Sequence, residues 1–257
     1  MLKGLYDLDC VTWSPQGKLF QVEYAMEAVK QGSICLGLRS KNHVVLCSLK
    51  KLPSELACYQ EKLFKVDEHI GMAISGLTAD ARVLCKYMRN EALNYKLTYG
   101  AQQPLNRLVF KIAESTSVFM LESQVKTQKA SKRPYGVGLL VAGIDQDGPH
   151  LFETCPSGNY YEYYANAIGA RSQSARTYLE EHMNQFGESS LEDLILHSLA
   201  ALRKSASDEG EVKGASVEIG VVGRDIPYRQ LGEEEIKGYL DRLKDFKGSE
   251  QKMEVEA

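Results

Sequence analysis

Long apolar stretches are missing from this sequence. None approaches the roughly 18 residues that a membrane-spanning helix requires. The opening segment Met1–Cys10 carries Asp7 and Asp9 where a secretion signal would need an apolar run, so the chain is expected to be soluble and not secreted. A charge excess is missing too. Lys plus Arg is 31 and Asp plus Glu is 34, a net charge of −3, so no global field draws it to nucleic acid or a membrane surface. The six cysteines, at 10, 35, 47, 58, 85 and 155, form no Cys-x-x-Cys pair. Several sit in apolar stretches such as Ser33–Leu38 and Val44–Leu49, the pattern of buried free thiols in a reducing compartment rather than a zinc site. The five histidines, at 43, 69, 150, 182 and 197, never fall within four residues of one another, which excludes a local metal pair. His182 and His197 read as packing or surface residues of helices. Gly-x-Ser-x-Gly, His-Glu-x-x-His and Walker patterns are all absent, so neither cofactor nor metal is expected.

What is present is ordinary globular composition. Of 257 residues, 44% are hydrophobic and 25% charged, enough for one large core. The spacing of Leu19, Val22, Met26 and Val29 predicts a helix after the Ser14-Pro15-Gln16-Gly17 turn, with Gly32 as a left-handed stop. Alternation predicts a hairpin from Ile34–Leu38 and Val44–Leu49, and a second from Lys62–Val66 and Ile70–Ser75. Thr78 is expected to cap a helix to about Leu97, striped by Leu84, Met88, Ala92 and Tyr95 and ended by Gly100. Pro104 opens another, striped by Leu105, Leu108, Ile112 and Phe119. Lys126, Lys129, Lys132 and Arg133 lack interleaved aromatics and read as a solvated loop. Strands are then expected at Tyr135–Ala142, His150–Thr154, Tyr160–Ile168 and Ser216–Val222, and helices at Ser172–Phe186, Leu191–Ala206 and Glu233–Phe246. Hairpin-linked strands and paired helices fit two packed antiparallel sheets covered by helices on both outer faces, an α+β four-layer αββα sandwich.

Three features bear on chemistry. Gly136-x-Gly138 lies within an apolar strand with no helix following, which favours close backbone packing over nucleotide binding. Asp145 and Asp147 lack the remaining ligands of a calcium loop and read as turn residues. Gly32-Ser33 opens the first strand, where a self-processing N-terminal-nucleophile hydrolase would cut to free a hydroxyl nucleophile and an α-amine base. The same dipeptide also suits a plain strand start.

Tyr6, Val11, Trp13, Ser14-Pro15-Gln16-Gly17-Lys18 and Gln21-Val22-Glu23-Tyr24-Ala25 resemble the N-terminal signature of proteasome alpha subunits. The resemblance continues through Glu27–Ser33, Ser75–Arg82, Arg133–Val137 and Ile168–Arg176, and so covers residues 6 to about 246. It implies an N-terminal-nucleophile hydrolase-like αββα fold: a gate segment over 1–17, a domain over 18–247 that includes a helix at 18–31, and a polar flexible tail over 248–257. It also implies a noncatalytic place in a seven-membered alpha ring, with other alpha subunits, the beta subunits and regulatory particles as partners, in the cytoplasm and nucleus. By that resemblance, Ser33 and Lys62 match positions used for catalysis in beta subunits, while Leu49 stands where an aspartate would orient the lysine. Tyr6, Asp7, Pro15 and Tyr24 match a gate-stabilising cluster, with Leu8 in place of the family's arginine. Gly32, Lys62 and Leu77 match the pocket that receives regulator tails, and the Lys62 ammonium is expected to face a groove between subunits. The alternative is an active hydrolase using Ser33 after cleavage at Gly32.

Overall fold

A computed structural model describes residues 6–7, 10, 12–50, 56–114, 133–206 and 216–246. The first helix, α1 (Phe20–Gln31), runs into two hairpins: β1 (Cys35–Arg39) with β2 (His43–Leu49), and β3 (Leu63–Asp67) with β4 (Ile70–Gly76). Helix α2 (Thr78–Tyr99) and helix α3 (residues 105–114) follow. The second half contributes β5 (Val137–Asp145), β6 (Gly148–Thr154), β7 (Tyr160–Glu162) and β8 (Ala165–Ile168). Helices α4 (Ser172–Glu181), α5 (Met183–Phe186) and α6 (Leu191–Ser205), strands β9 (Val217–Gly223) and β10 (Ile226–Gln230), and helix α7 (Glu233–Asp245) complete it.

The strands form two five-stranded antiparallel sheets, ordered β10-β9-β2-β1-β8 and β3-β4-β5-β6-β7. Both faces of each sheet are covered, so β1, β2, β4 and β5 carry apolar residues on both faces rather than on one. In β1 and β2, Cys35, Val44 and Leu46 point between the sheets, where they meet Leu63, Ala73, Leu140 and Leu151. Leu36, Leu38, Val45 and Cys47 point the other way, onto α4, α6 and α7. Met72, Ile74, Leu139 and Val141 do the same on the second sheet, against Leu84 and Met88 of α2 and Leu105, Leu108 and Ile112 of α3. The layers are therefore helix, sheet, sheet, helix, as the sequence pattern implies. Cys35 and Cys47 are free, buried thiols.

Several expectations need correction. Gly32 is not left-handed: its φ is −64° and ψ 160°. A glycine is needed there because a Cβ would lie 2.2 Å from the Gly76 amide nitrogen and 2.4 Å from the Ser75 hydroxyl. The buried side of α1 is Val22 and Ala25, while Met26 is exposed, because the helix approaches its neighbours through small residues. Thr78 begins α2 but does not cap it. The cap position is Leu77, and the Thr78 hydroxyl instead accepts from Lys62 Nζ at 3.4 Å. The stretch Tyr160–Ile168 is two strands in different sheets, and β10 is an additional strand that the pattern does not announce. The long helix expected from Ser172 breaks at His182, whose Nδ1 takes the Tyr178 carbonyl at 2.8 Å, the oxygen its own amide would need to continue the helix. Phe119, most of the basic loop and the tail from 248 lie outside the described residues.

Candidate functional site

The residues singled out in the sequence converge where α1 meets the sandwich. The Ser75 hydroxyl, wholly buried, lies 2.9 Å from the Val29 carbonyl and 3.0 Å from that of Ser33. A hydroxyl has one proton to give, so the two carbonyls compete for or share it. Gly169 (φ +99°) packs onto the same hydroxyl, and the Ala170 amide donates to the Gly32 carbonyl at 2.8 Å. One serine thus ties the end of α1, the start of β1, the end of β4 and the turn after β8. Farther along α1, Val29 lies over Gly138 and Ala28 over Gly136, where a Cβ on Gly138 would come within 2.8 Å of Val29 Cγ1. The glycine pair is a packing surface for α1.

Ser33 is buried inside this knot. Leu49 ends β2, half-buried among the apolar residues under α6 and α7, so no carboxylate stands at that point. Lys62 is only 7% exposed. Its ammonium reaches Thr78 and also stands near Cys35, whose thiol is pushed up by burial against the opposing pull of Lys62. Within this one chain Lys62 is mostly covered by its neighbours. Leu77 follows Gly76 directly and is 46% exposed, so Gly32, Lys62 and Leu77 do surround one corner, between β4 and α2.

That corner is braced by Asp80. Its carboxylate accepts the Gly136 amide at 2.9 Å and both Arg133 terminal nitrogens, at 2.6 and 2.9 Å. Burial alone would raise the Asp80 pKa, but these donors outweigh it and hold the group below the usual carboxylate value. Arg133 is thereby tied to α2 instead of belonging to a solvated loop.

Of Tyr6, Asp7, Pro15 and Tyr24, the residues expected to form a gate cluster, two are brought together. Tyr24 donates its hydroxyl to Asp7 Oδ2 at 3.3 Å, and Gln21 Nε2 donates to the Asp7 carbonyl at 2.5 Å, which ties Asp7 to α1. Exposed Pro15 sits in the turn closed by the Gly17 amide on the Ser14 carbonyl. Tyr6 is half-buried beside Asp7, and Leu8 lies outside the described residues.

Sequence reasoning assigns no role to Ser75, Gly169 or Glu218. Glu218 leaves one signal, a lone charge in the apolar run of β9. Among the described residues no cluster of three or more His, Cys, Asp or Glu side chains could hold a metal, and no helix is long and apolar enough to cross a membrane.

Residues 29–222 match the family model described as proteasome subunit, and residues 6–28 match the model for the N-terminal signature of A-type proteasome subunits. The chain is 51% identical over 244 residues to proteasome subunit alpha type-1 of Dictyostelium discoideum, an alignment covering 95% of this chain and 96% of that protein. It is 49% identical to the probable proteasome subunit alpha type-6 of Schizosaccharomyces pombe, covering 95% and 88%. With proteasome subunit alpha type-1 of Drosophila melanogaster it shares 45% identity, covering 90% and 81%.

Proposed function

The chain belongs to the proteasome alpha-subunit family, and on that footing we propose that it is a noncatalytic member of the alpha ring that contributes to ring assembly, pore gating and regulator docking in ubiquitin-dependent protein degradation. Its partners are other alpha subunits, the beta ring and regulatory particles, and it works in the cytoplasm and nucleus. The observation that carries the noncatalytic reading is the Ser75 knot. Ser33 is buried where α1 packs onto β4, and its carbonyl is held with that of Val29 by one hydroxyl. In a continuous chain the Ser33 nitrogen is an amide, which cannot act as the general base of an N-terminal nucleophile. Leu49 adds to this, because an aliphatic side chain cannot orient a lysine.

Support for gating comes from the contacts of Asp7 with Tyr24 and Gln21, which hold Asp7 against α1. Support for docking comes from the corner of Gly32, Lys62 and Leu77, where the Lys62 ammonium reaches Thr78, the residue after exposed Leu77. A charge-assisted contact to a tail carboxylate there is worth about 1.5–3 kcal/mol, enough to bias a gate. The test is direct. Intact mass measurement of the chain from assembled particles should show residues 1–32 retained, and Ser33→Ala particles should hydrolyse peptides at the parent rate. Loss of peptidase activity with normal assembly would overturn the noncatalytic reading in favour of a Ser33 nucleophile.

A further inference from the structure

The strand that begins just after Lys62 is an edge strand, so among the described residues one side of β3 has no strand to pair with. Unpaired backbone groups at a buried edge are costly, and something must satisfy them. The facing sheet does so with side chains. Glu218 of β9, 9% exposed, accepts the Lys62 amide at 2.8 Å and the Leu63 amide at 3.1 Å on the same oxygen, Oε2. Gln230 of β10 donates Nε2 to the Leu63 carbonyl at 3.0 Å. On its other side, the Lys62 carbonyl accepts from the Ile74 amide of β4 at 3.1 Å. The lysine's backbone is therefore gripped from both sheets at once.

The rest of the Glu218 environment suits an anion. Ser48 donates its hydroxyl to Oε2 at 3.4 Å, and Lys50 Nζ lies 3.6 Å from Oε1, itself over the ring of Tyr59 at 5.3 Å. Lys50 supplies the countercharge, and Glu218 meets Lys62 through its amide while that ammonium turns to Thr78. The carboxylate can thus fix the position of Lys62 through its backbone.

We infer that Glu218 is a positioning residue for Lys62: by holding the Lys62 and Leu63 amides across the two sheets, it sets where the ammonium stands and so the affinity for a peptide ending in a free carboxylate. This rests on the reading of Lys62 as the residue that receives such tails. A purely structural Glu218 would stabilise the sandwich without affecting how well a carboxylate is told from an amide.

The experiment uses assembled particles containing the full chain and a photoreactive peptide copied from a regulator's C-terminus, prepared as free acid and as amide. Crosslinking to this chain alone is quantified against peptide concentration, so that other alpha subunits do not contribute. The parent should prefer the acid, and Lys62→Ala should remove that preference. Glu218→Ala should cut it about tenfold, the lower end of what a charge-assisted contact is worth. Adding Glu218→Ala to Lys62→Ala should cost nothing further, the signature of a residue that acts only through the other. Glu218→Gln, whose amide oxygen can still accept both backbone donors, should keep the preference within about twofold of the parent. If the alanine chain does not enter particles, Glu218→Asp, which withdraws the acceptor by one methylene, takes its place with the same expectation. A full preference in Glu218→Ala or Glu218→Asp alongside its loss in Lys62→Ala would overturn the positioning role and leave the pocket standing. A full preference in Lys62→Ala would overturn the pocket, and the positioning role with it.

Discussion

Gly32 joins α1 to the sandwich, and two physical reasons for a glycine there make opposite predictions. Were the backbone left-handed, as the sequence suggests, alanine would cost about 1–2 kcal/mol and asparagine less, since asparagine tolerates that conformation. The observed φ of −64° and ψ of 160° are open to any residue, so backbone strain contributes nothing. What forbids a side chain is space: a Cβ would sit 2.2 Å from the Gly76 nitrogen, 2.4 Å from Ser75 Oγ and 2.9 Å from the Ser75 carbonyl carbon. Two of those atoms are backbone, so relief requires the end of α1 to back away by about 1 Å in an interior packed to crystal-like density. Overpacking of this kind costs about 1–3 kcal/mol. For a chain of this size that lowers the unfolding midpoint by about 3–10 °C. Gly32→Ala and Gly32→Asn should both show this loss in calorimetry, asparagine at least as severely, with faster hydrogen exchange along α1. Gly238 is the control, because it lies within α7 with nothing within 4 Å of a built Cβ. Gly238→Ala should be stabilising by about 0.5–1 kcal/mol. An asparagine variant milder than the alanine one, or an alanine variant melting with the parent, would refute the steric argument.

Asp80→Ala removes the acceptor of the buried Gly136 amide together with a bidentate partner of Arg133, and should cost about 2–3 kcal/mol, whereas Arg133→Ala, at an exposed guanidinium, should cost about 1 kcal/mol or less; equal losses in chemical denaturation would show that the Gly136 contact carries no weight. His197 makes stability acid-sensitive. Burial, with His182 beside it, lowers its pKa from the ordinary 6.5 to about 4, and it packs among Tyr178, His182, Phe186 and Phe246 with Tyr178 Oη 3.0 Å from its Nδ1. Between those two values the unfolded chain binds a proton that the native state refuses, so stability is full above pH 6.5 and falls by up to about 1.4 kcal/mol per pH unit on the way to 4. His197→Phe should flatten that part of the curve, and an unchanged slope would assign the acid sensitivity elsewhere. Asp80 adds in the same direction at lower pH, since a depressed carboxyl pKa gives stability that is lost as pH falls through it.

The layer order is legible because the hairpins repeat a simple rule, alternation between short turns, and because the helix stripes at Leu194, Ile195, Leu199 and Leu202 are nearly unbroken. Where local signals have two causes, the reading fails. The alternation in Tyr160–Ile168 runs on through Tyr163 and Tyr164, where the chain leaves one sheet for the other, so nothing in the pattern marks the crossing. Strand β10 is hidden because Pro227, Arg229 and Gln230 interrupt its apolar character. It is an edge strand, where proline is tolerated; Tyr228 is its one fully buried residue, and Ile226 is only partly covered. The candidate site is legible only as a resemblance, because none of its contacts is local. Lys62 answers to Glu218 and Thr78, Gly32 to Ser75, and Asp80 to Arg133 and Gly136, each across a sheet or between layers. Spacing rules detect residues that one helix or one turn brings together, and here the sandwich itself does the joining. Glu218 is the instructive case. A lone carboxylate inside an apolar strand is too costly to bury without partners, so its presence there already demands donors from another element. The sequence alone does not say that those donors are the amides of Lys62 and Leu63.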